Sequence, residues 1–298
     1  MNIKIWLQAF RLRTLPLALS SIAMGSFLAA YANAFRWSIF ILCVITTVCL
    51  QILSNLANDY GDSIHGADHA ERKGPSRAVQ SGAITPESMK TAIIIFVILT
   101  LVSGVSLLIT AFGTQWVAIL FFIALGILCI GAAIAYTVGN KPYGYIGLGD
   151  VSVLIFFGLV GVLGSYYLFA KTLAWSLVLP ALSCGLFSIG VLNINNMRDI
   201  DSDRKAGKFS IPVRIGKENA SKYHWLLIIV AISSSLLFTL LNFHSPWQLL
   251  FLISVPLFLK NAISVSKKPS TSLDPYLKQM ALSTLCFVVL FGVGLLLS

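Results

Sequence analysis

Apolar runs of about 20 residues recur along the whole of this chain, and that recurrence leaves very few folds open to it. They lie near 15–34, 38–57, 91–111, 116–138, 149–169, 173–197, 225–242, 247–265 and 280–297. At about 1.5 Å of rise per residue, each can cross a hydrocarbon layer about 30 Å thick. Only 11% of the 298 residues are charged. A soluble domain carries about 25%, so this chain cannot cover a water-facing surface. The expected fold is all-α: a polytopic membrane protein with about nine transmembrane helices in one bundle. Residues 1–298 then form a single domain.

The first run has a competing interpretation. Lys4, Arg11 and Arg13 precede it, and Ala32-Asn33-Ala34 resembles a processing site, as in a cleaved signal peptide. The run exceeds the usual 7–15 apolar residues of such a peptide, and eight more spans follow, so an uncleaved first span is expected. Residues 3–10 put Ile3, Trp6, Leu7 and Phe10 on one helical face, which reads as a short interfacial helix leading into that span.

The formal net charge of +10 is a statement about topology. Of the 21 Lys and Arg residues, all but Arg36 and Lys171 fall in alternate connections: the N-terminus, 58–90, 139–148, 198–224 and 260–279. Cytoplasmic loops carry that excess, so the N-terminus is expected in the cytoplasm and the C-terminus outside. A basic nucleic-acid surface would gather these charges on one soluble face, and no nucleic-acid partner is expected. The five cysteines all fall inside spans without a C-x-x-C pair, so neither a disulfide framework nor a zinc site is indicated.

Seven of the 11 acidic residues fall in two clusters. One runs Asn55-Leu-Ala-Asn58-Asp59-Tyr60-Gly61-Asp62, with Asp68 and Glu71 beyond it. The other runs Asn195-Asn196-Met197-Arg198-Asp199-Ile200-Asp201-Ser202-Asp203. Each begins at the cytoplasmic end of a span, the second and the sixth. On a helix, Asn55, Asp59 and Asp62 fall within about 60° of one another, and Asn195, Asp199 and Asp203 within about 80°, while Asp201 points away. The shared Asn-x-x-x-Asp step, the four-span separation and the basic stretch after each cluster suggest duplicated four-helix units, roughly 15–138 and 149–265, with the ninth helix extra.

Carboxylate and amide oxygens are hard ligands suited to Mg²⁺, which binds through a few carboxylates and substrate phosphates. Two like-charged clusters repel unless cations or a ligand sit between them. A diphosphate held through Mg²⁺, with Arg and Lys on its outer oxygens, satisfies every charge in the set. The bland alternative, solvated loop acids, does not account for two helix-phased sets at one membrane face.

These residues resemble the two aspartate-rich motifs of the UbiA superfamily of membrane prenyltransferases. Gln51-Ile-Leu-Ser-Asn-Leu-Ala-Asn-Asp-Tyr-Gly-Asp62, Tyr136-Thr-Val-Gly-Asn-Lys-Pro-Tyr-Gly-Tyr-Ile-Gly-Leu-Gly-Asp150 and Leu192-Asn-Ile-Asn-Asn-Met-Arg-Asp199 are similar to its menaquinone-pathway members. The likeness runs through essentially the whole chain. It implies a nine-helix bundle in a bacterial inner membrane with a cytoplasmic-side active site. It also implies Mg²⁺-dependent transfer of a polyprenyl chain from polyprenyl diphosphate to 1,4-dihydroxy-2-naphthoate. Diphosphate and carbon dioxide would leave, giving demethylmenaquinone.

Within that resemblance, Asn55, Asp59, Asp62, Asn195, Asp199 and Asp203 are assigned to metal. Either Asp201 or Asp203 could partner Asp199; helical phase favours Asp203, and Gly207 warns that the helix is ending. Arg72, Lys73, Arg77, Lys141, Arg198 and Lys205 are candidates for diphosphate contact. Tyr60, Tyr136 and Tyr143 could line an electron-rich wall for the prenyl cation, although an interfacial aromatic belt would look the same. Asp150 could orient or deprotonate the naphthoate hydroxyl, or cap the fifth span.

Other signals carry less. Gly144, Gly147 and Gly149 follow no strand, so no dinucleotide site is expected. His65 and His69 flank Asp68, but Gly61 and Gly66 argue against the helix that zinc would need there. A transporter would place charged groups or broken helices near the bilayer midplane. Here the span centres contain no Asp, Glu, Lys or Arg. A related prenyltransferase acting on 4-hydroxybenzoate, haem or another aromatic acceptor is the alternative within the same chemistry.

Overall fold

The structure is a computed structural model and describes residues 3–64 and 77–298. Among the described residues, nine helices are long and apolar enough to cross a membrane. A short helix α1 (Ile3–Phe10) ends where Arg11 takes a left-handed conformation, and α2 (Leu15–Tyr31) starts with Pro16 in its first turn. There follow α3 (Trp37–Ile64), α4 (Pro86–Phe112), α5 (Trp116–Ala135), α6 (Gly149–Ala170) and α7 (Trp175–Arg198). A one-and-a-half-turn α8 (Ile200–Lys205) precedes α9 (Ile211–Leu241), α10 (Pro246–Lys267) and α11 (Asp274–Leu296).

The centre of the bundle is built from α2, α7 and α11, the most buried of the spans. α7 packs against α6, α9 and α11, and α2 against α3, α6, α7 and α11. Phe187, Phe251, Phe258, Phe287 and Phe291 interlock there without solvent contact. Gly158 of α6 and Gly185 of α7 let those two helices touch: a methyl group on Gly158 would sit 2.8 Å from the Ala181 carbonyl oxygen. Small residues are what allow helices to approach this closely in lipid, where the hydrophobic effect no longer drives helices together. α4 and α5, by contrast, turn Ile94, Ile98, Val102, Ile109, Leu120, Phe121 and Leu128 outward, an apolar exterior that suits lipid and not water.

Helix α1 does not lie free. Its Ala9, with Trp6 and Phe10, joins Ile52 and Leu56 of α3 and Met89 of α4 in a second apolar cluster, closed over by Ala78, Val79 and Ile84.

Several helices run past the apolar limits expected for them. α3 extends to Ile64, α4 begins at Pro86, α9 at Ile211 and α11 at Asp274. All four extensions lie at the same end of the bundle, and they carry the polar residues that hydropathy alone assigns to loops.

Candidate active site

The last turns of α3 present Asn55, Asp59 and Asp62 on one face, and all three are buried. The turn after the undescribed segment folds back over them. The Asp59 carboxylate accepts from the backbone N–H groups of Ala78 (3.1 Å) and Val79 (3.3 Å). Arg77 bonds Asp62 at 2.5 Å, and the Tyr145 hydroxyl donates to the other Asp62 oxygen at 2.8 Å. The Asn55 amide donates to the Phe10 carbonyl (2.9 Å) and the Thr14 hydroxyl (3.0 Å), so it ties α3 to the turn leading into α2.

Gly61 has a reason to be in this motif. A methyl group there would lie 2.6 Å from the backbone carbonyl and hydroxyl of Thr137. That close approach lets the Thr137 hydroxyl donate to the Ala57 carbonyl at 3.1 Å. It brings the 136–149 connection, with Tyr145, up against Asp62.

The second motif caps α7. Arg198 grips its neighbour Asp199 through two bonds, at 2.9 and 2.7 Å, and also donates to Asn195 Oδ1 at 2.9 Å. Its remaining Nη1 reaches Asp274 at the start of α11, which Arg13 bonds from the other side at 3.0 Å. Asp203, one turn on in α8, is buried, whereas Asp201 is exposed. The helix breaks at Asp199, but the Asp203 N–H still bonds the Asp199 carbonyl at 2.8 Å, which preserves the helical phase.

Lys208 joins the two motifs. Gly207, at a φ of 70°, turns the chain back so that the buried Lys208 ammonium lies 3.4 Å from Asp203. It also sits 5.9 Å from the Tyr145 ring, whose hydroxyl holds Asp62. Burial alone would lower the Lys208 pKa, but Asp203, Asp62, Tyr136 and Asp199 outweigh it and hold the ammonium protonated. Burial pushes Asp203 up to about 6; Asp199 and Asp62 add to that, and Lys208 opposes it. The carboxylates of α3 and α8 therefore feel each other, and the Lys208 charge acts on both. The neighbouring loops are stitched together: the Phe209 N–H bonds the Tyr145 carbonyl at 2.7 Å, and Arg214 bonds the Ile146 carbonyl at 2.7 Å.

Tyr136 stands beside this junction. Burial pushes its phenol up to about 12; Asp62 and Asp150 add to the rise and Lys208 opposes it. Its ring meets Tyr143 edge-on at 5.3 Å. The Tyr143 hydroxyl is spent on the Ala132 carbonyl and Ser152. Asp150, in the first turn of α6, accepts from the Tyr223 hydroxyl of α9 at 2.8 Å.

Other expected residues lie apart. Tyr60 packs in the α1–α4 cluster with Lys90 5.5 Å above its ring. Lys141 and Lys205 are exposed. Arg72 and Lys73 lie outside the described residues, as do His65, Asp68, His69 and Glu71. Tyr145, Lys208, Asp274 and Tyr223 belong to the site but do not figure in the sequence-based set. The first two had a signal: Tyr145 lies inside the Tyr136–Asp150 stretch, and Lys208 follows Asp203 by five residues across a glycine.

The donor set fits a hard divalent cation. Asp59, Asp62, Asp199 and Asp203 are buried carboxylates, and Asp203 Oδ2 accepts no hydrogen bond among the described residues. No three His, Cys, Asp or Glu side chains there close into one cage. Mg²⁺ does not require one, because it binds through one or two carboxylates plus phosphate oxygens and water.

At the opposite end of the bundle, an apolar cleft of about 770 Å³ runs between α5 and α6, lined by Phe121, Phe122, Leu125, Leu159, Leu163 and Tyr167. It holds none of the acidic residues.

Residues 18–285 match the UbiA prenyltransferase family. The chain belongs to that family. It is a membrane enzyme that transfers prenyl groups. It is 47% identical to the 1,4-dihydroxy-2-naphthoate octaprenyltransferase of Escherichia coli (strain K12), over 98% of this chain and 95% of that protein. It is 46% identical to the Haemophilus influenzae protein of the same name, over 99% and 97% of the two chains. The fold matches that of a UbiA homolog from Archaeoglobus fulgidus bound to GPP and Mg²⁺, with a TM-score of 0.67 at 15% identity over 99% and 100% of the two chains.

Proposed function

We propose that this prenyltransferase moves a polyprenyl chain from polyprenyl diphosphate to 1,4-dihydroxy-2-naphthoate, using Mg²⁺, at the cytoplasmic face of a bacterial inner membrane. The observation that carries this is the meeting of the α3 and α7–α8 carboxylates around Lys208 at one end of the bundle. The near-full-length likeness to enzymes named for that naphthoate substrate supports the choice of acceptor.

Asp59, Asp62, Asp199 and Asp203 would hold Mg²⁺, with Asn55 and Asn195 positioning the two helix ends. Bound there, Mg²⁺ supplies positive charge to the diphosphate leaving group. Arg77 and Arg198, which already sit against the two carboxylate sets, would add positive charge around the outer oxygens. The allylic C–O bond then breaks, and its electron pair leaves with diphosphate. Tyr136 and Tyr143 face the allylic carbon with π density and keep water away from it. Asp150, oriented by Tyr223, takes the proton of a naphthoate hydroxyl and enriches the ring carbon that attacks. That carbon bonds the prenyl group and loses carbon dioxide, whose bonding pair returns to the ring, so the product forms at the quinol level of demethylmenaquinone. The α5–α6 cleft offers the prenyl tail an apolar path.

The test is product formation by purified protein in detergent, given dihydroxynaphthoate and a long-chain prenyl diphosphate, with and without Mg²⁺. Mg²⁺-dependent prenylated product is expected, and both Asp59→Ala and Asp199→Ala should abolish it while leaving folded protein. Product with 4-hydroxybenzoate but not with the naphthoate would overturn the acceptor assignment; no product with any aromatic acceptor would overturn the reaction.

A further inference from the structure

We infer that Lys208 is a built-in counter-ion that competes with a divalent cation for Asp203 and gives way only when a diphosphate arrives to accept its ammonium. This rests on the proposed metal-diphosphate site and adds a binding order to it.

Three observations carry the inference. Lys208 is buried, so its ammonium has little water and depends on nearby anions. Its direct partner, Asp203, is one of the carboxylates with the chemistry to hold metal, and it lies 3.4 Å away. The Lys208 charge also acts on Asp62 and Asp199, one from each motif. A divalent cation entering alone must therefore share Asp203 with a fixed positive charge, and two cations at one carboxylate repel strongly in a poorly hydrated site. Displacing Lys208 without a new partner leaves a buried, unpaired ammonium, which is costly. Diphosphate removes both penalties, because its oxygens accept the ammonium and release Asp203. Metal and diphosphate then bind with positive coupling, each raising the affinity of the other by the same factor.

The geometry also gives the device its reach. Gly207 at a φ of 70° and Phe209, bonded to the Tyr145 carbonyl at 2.7 Å, anchor the backbone on either side of Lys208. The side chain, with its four-carbon stem, is the part free to swing.

The test reads binding, not turnover. Mn²⁺ as a probe for Mg²⁺ is titrated into purified full-length protein, followed by electron paramagnetic resonance, with and without inorganic pyrophosphate. Wild type should bind Mn²⁺ weakly alone and at least about fivefold more tightly with pyrophosphate, the lower end of ordinary coupling. Lys208→Met should bind Mn²⁺ alone more tightly than wild type by a similar factor and lose most of the pyrophosphate gain. Arg204→Met removes an exposed cation of α8 and controls for general charge loss; it should behave as wild type. If Lys208→Met proves unstable, Lys208→Gln replaces it. Unchanged or weaker Mn²⁺ binding in the folded variant, or an equal effect from Arg204→Met, would overturn the counter-ion role and leave the site reading intact. Absence of Mn²⁺ binding by wild type even with pyrophosphate would overturn both.

Discussion

Gly61 shows how a single residue sets the site's geometry. Its missing side chain lets the α3 end and Thr137 come within bonding range, and a methyl group placed there would meet Thr137 backbone atoms at 2.6 Å. Gly61→Ala therefore sets a helix-propensity gain of about 0.5–1 kcal/mol against an overpacking cost of about 1–3 kcal/mol. The backbone on the other side cannot swing away, so the cost is expected to win. Thermal unfolding in detergent should show a lowered midpoint for Gly61→Ala, with prenyl transfer reduced because Tyr145 no longer reaches Asp62. Gly104→Ala in α4 provides the contrast, since its nearest neighbour would be Thr46 Cγ2 at 3.8 Å; its midpoint should hold or rise. The same residue scale explains what the sequence conceals. The buried face of α3 follows from spacing, because 100° per residue is a property of the backbone. Lys208 sits in an irregular loop and Tyr145 in a single 3-10 turn (Tyr143–Ile146), both too short to show a period, and their positions depend on one glycine turn and one interloop hydrogen bond.

Among the helices, α7 and α11 are coupled through charge. Arg198 is the hub: its side chain is 1% exposed and serves Asp199, Asn195 and Asp274, while the Asp274 side chain is 38% exposed. Removing a buried partner leaves the other charge uncompensated, at a cost of about 3–5 kcal/mol. A pair open to water on one side is worth about 0–1 kcal/mol. Arg198→Met should therefore lower the unfolding midpoint far more than Asp274→Asn, and equal losses from the two would contradict this account. Asp274 opens α11 in a region that hydropathy leaves to a loop, so its part in the site could not be read from apolar runs. The same holds for the start of α9, where Arg214, Lys217, Glu218 and Lys222 mask a short helical turn that opens at Ile211 and Pro212 and kinks at Gly216 (φ 77°) into the long helix. Spans with clean apolar limits, such as α5 and α6, were legible to within a few residues. Helices that continue beyond the apolar layer were not, because their extra turns are held by ion pairs and caps, which hydropathy does not register.

At the scale of the molecule, every described acidic residue lies at the end of the bundle where α3 and α7 finish, and Arg36 and Lys171 mark the other end. Composition made the membrane class plain and the two Asn-x-x-x-Asp steps located the site, but neither reveals which end meets the cytoplasm in the folded protein. Charge supplies the physical argument. Moving basic loops across the membrane is resisted during insertion, so the end with nearly all the Lys and Arg residues stays inside. That orientation also suits the proposed substrates, since a diphosphate and a carboxylate are confined to the water on the side where they are made. Cysteine introduced at Ala32, an exposed turn residue at the Arg36 end, should react with a membrane-impermeant maleimide in intact spheroplasts. Cysteine at Arg204, exposed on α8 at the carboxylate end, should react only after lysis. The native cysteines lie within the spans and should contribute little background. The reverse pattern would put the carboxylates on the outer face, and the proposed reaction would then lack its substrates on the side where it takes place.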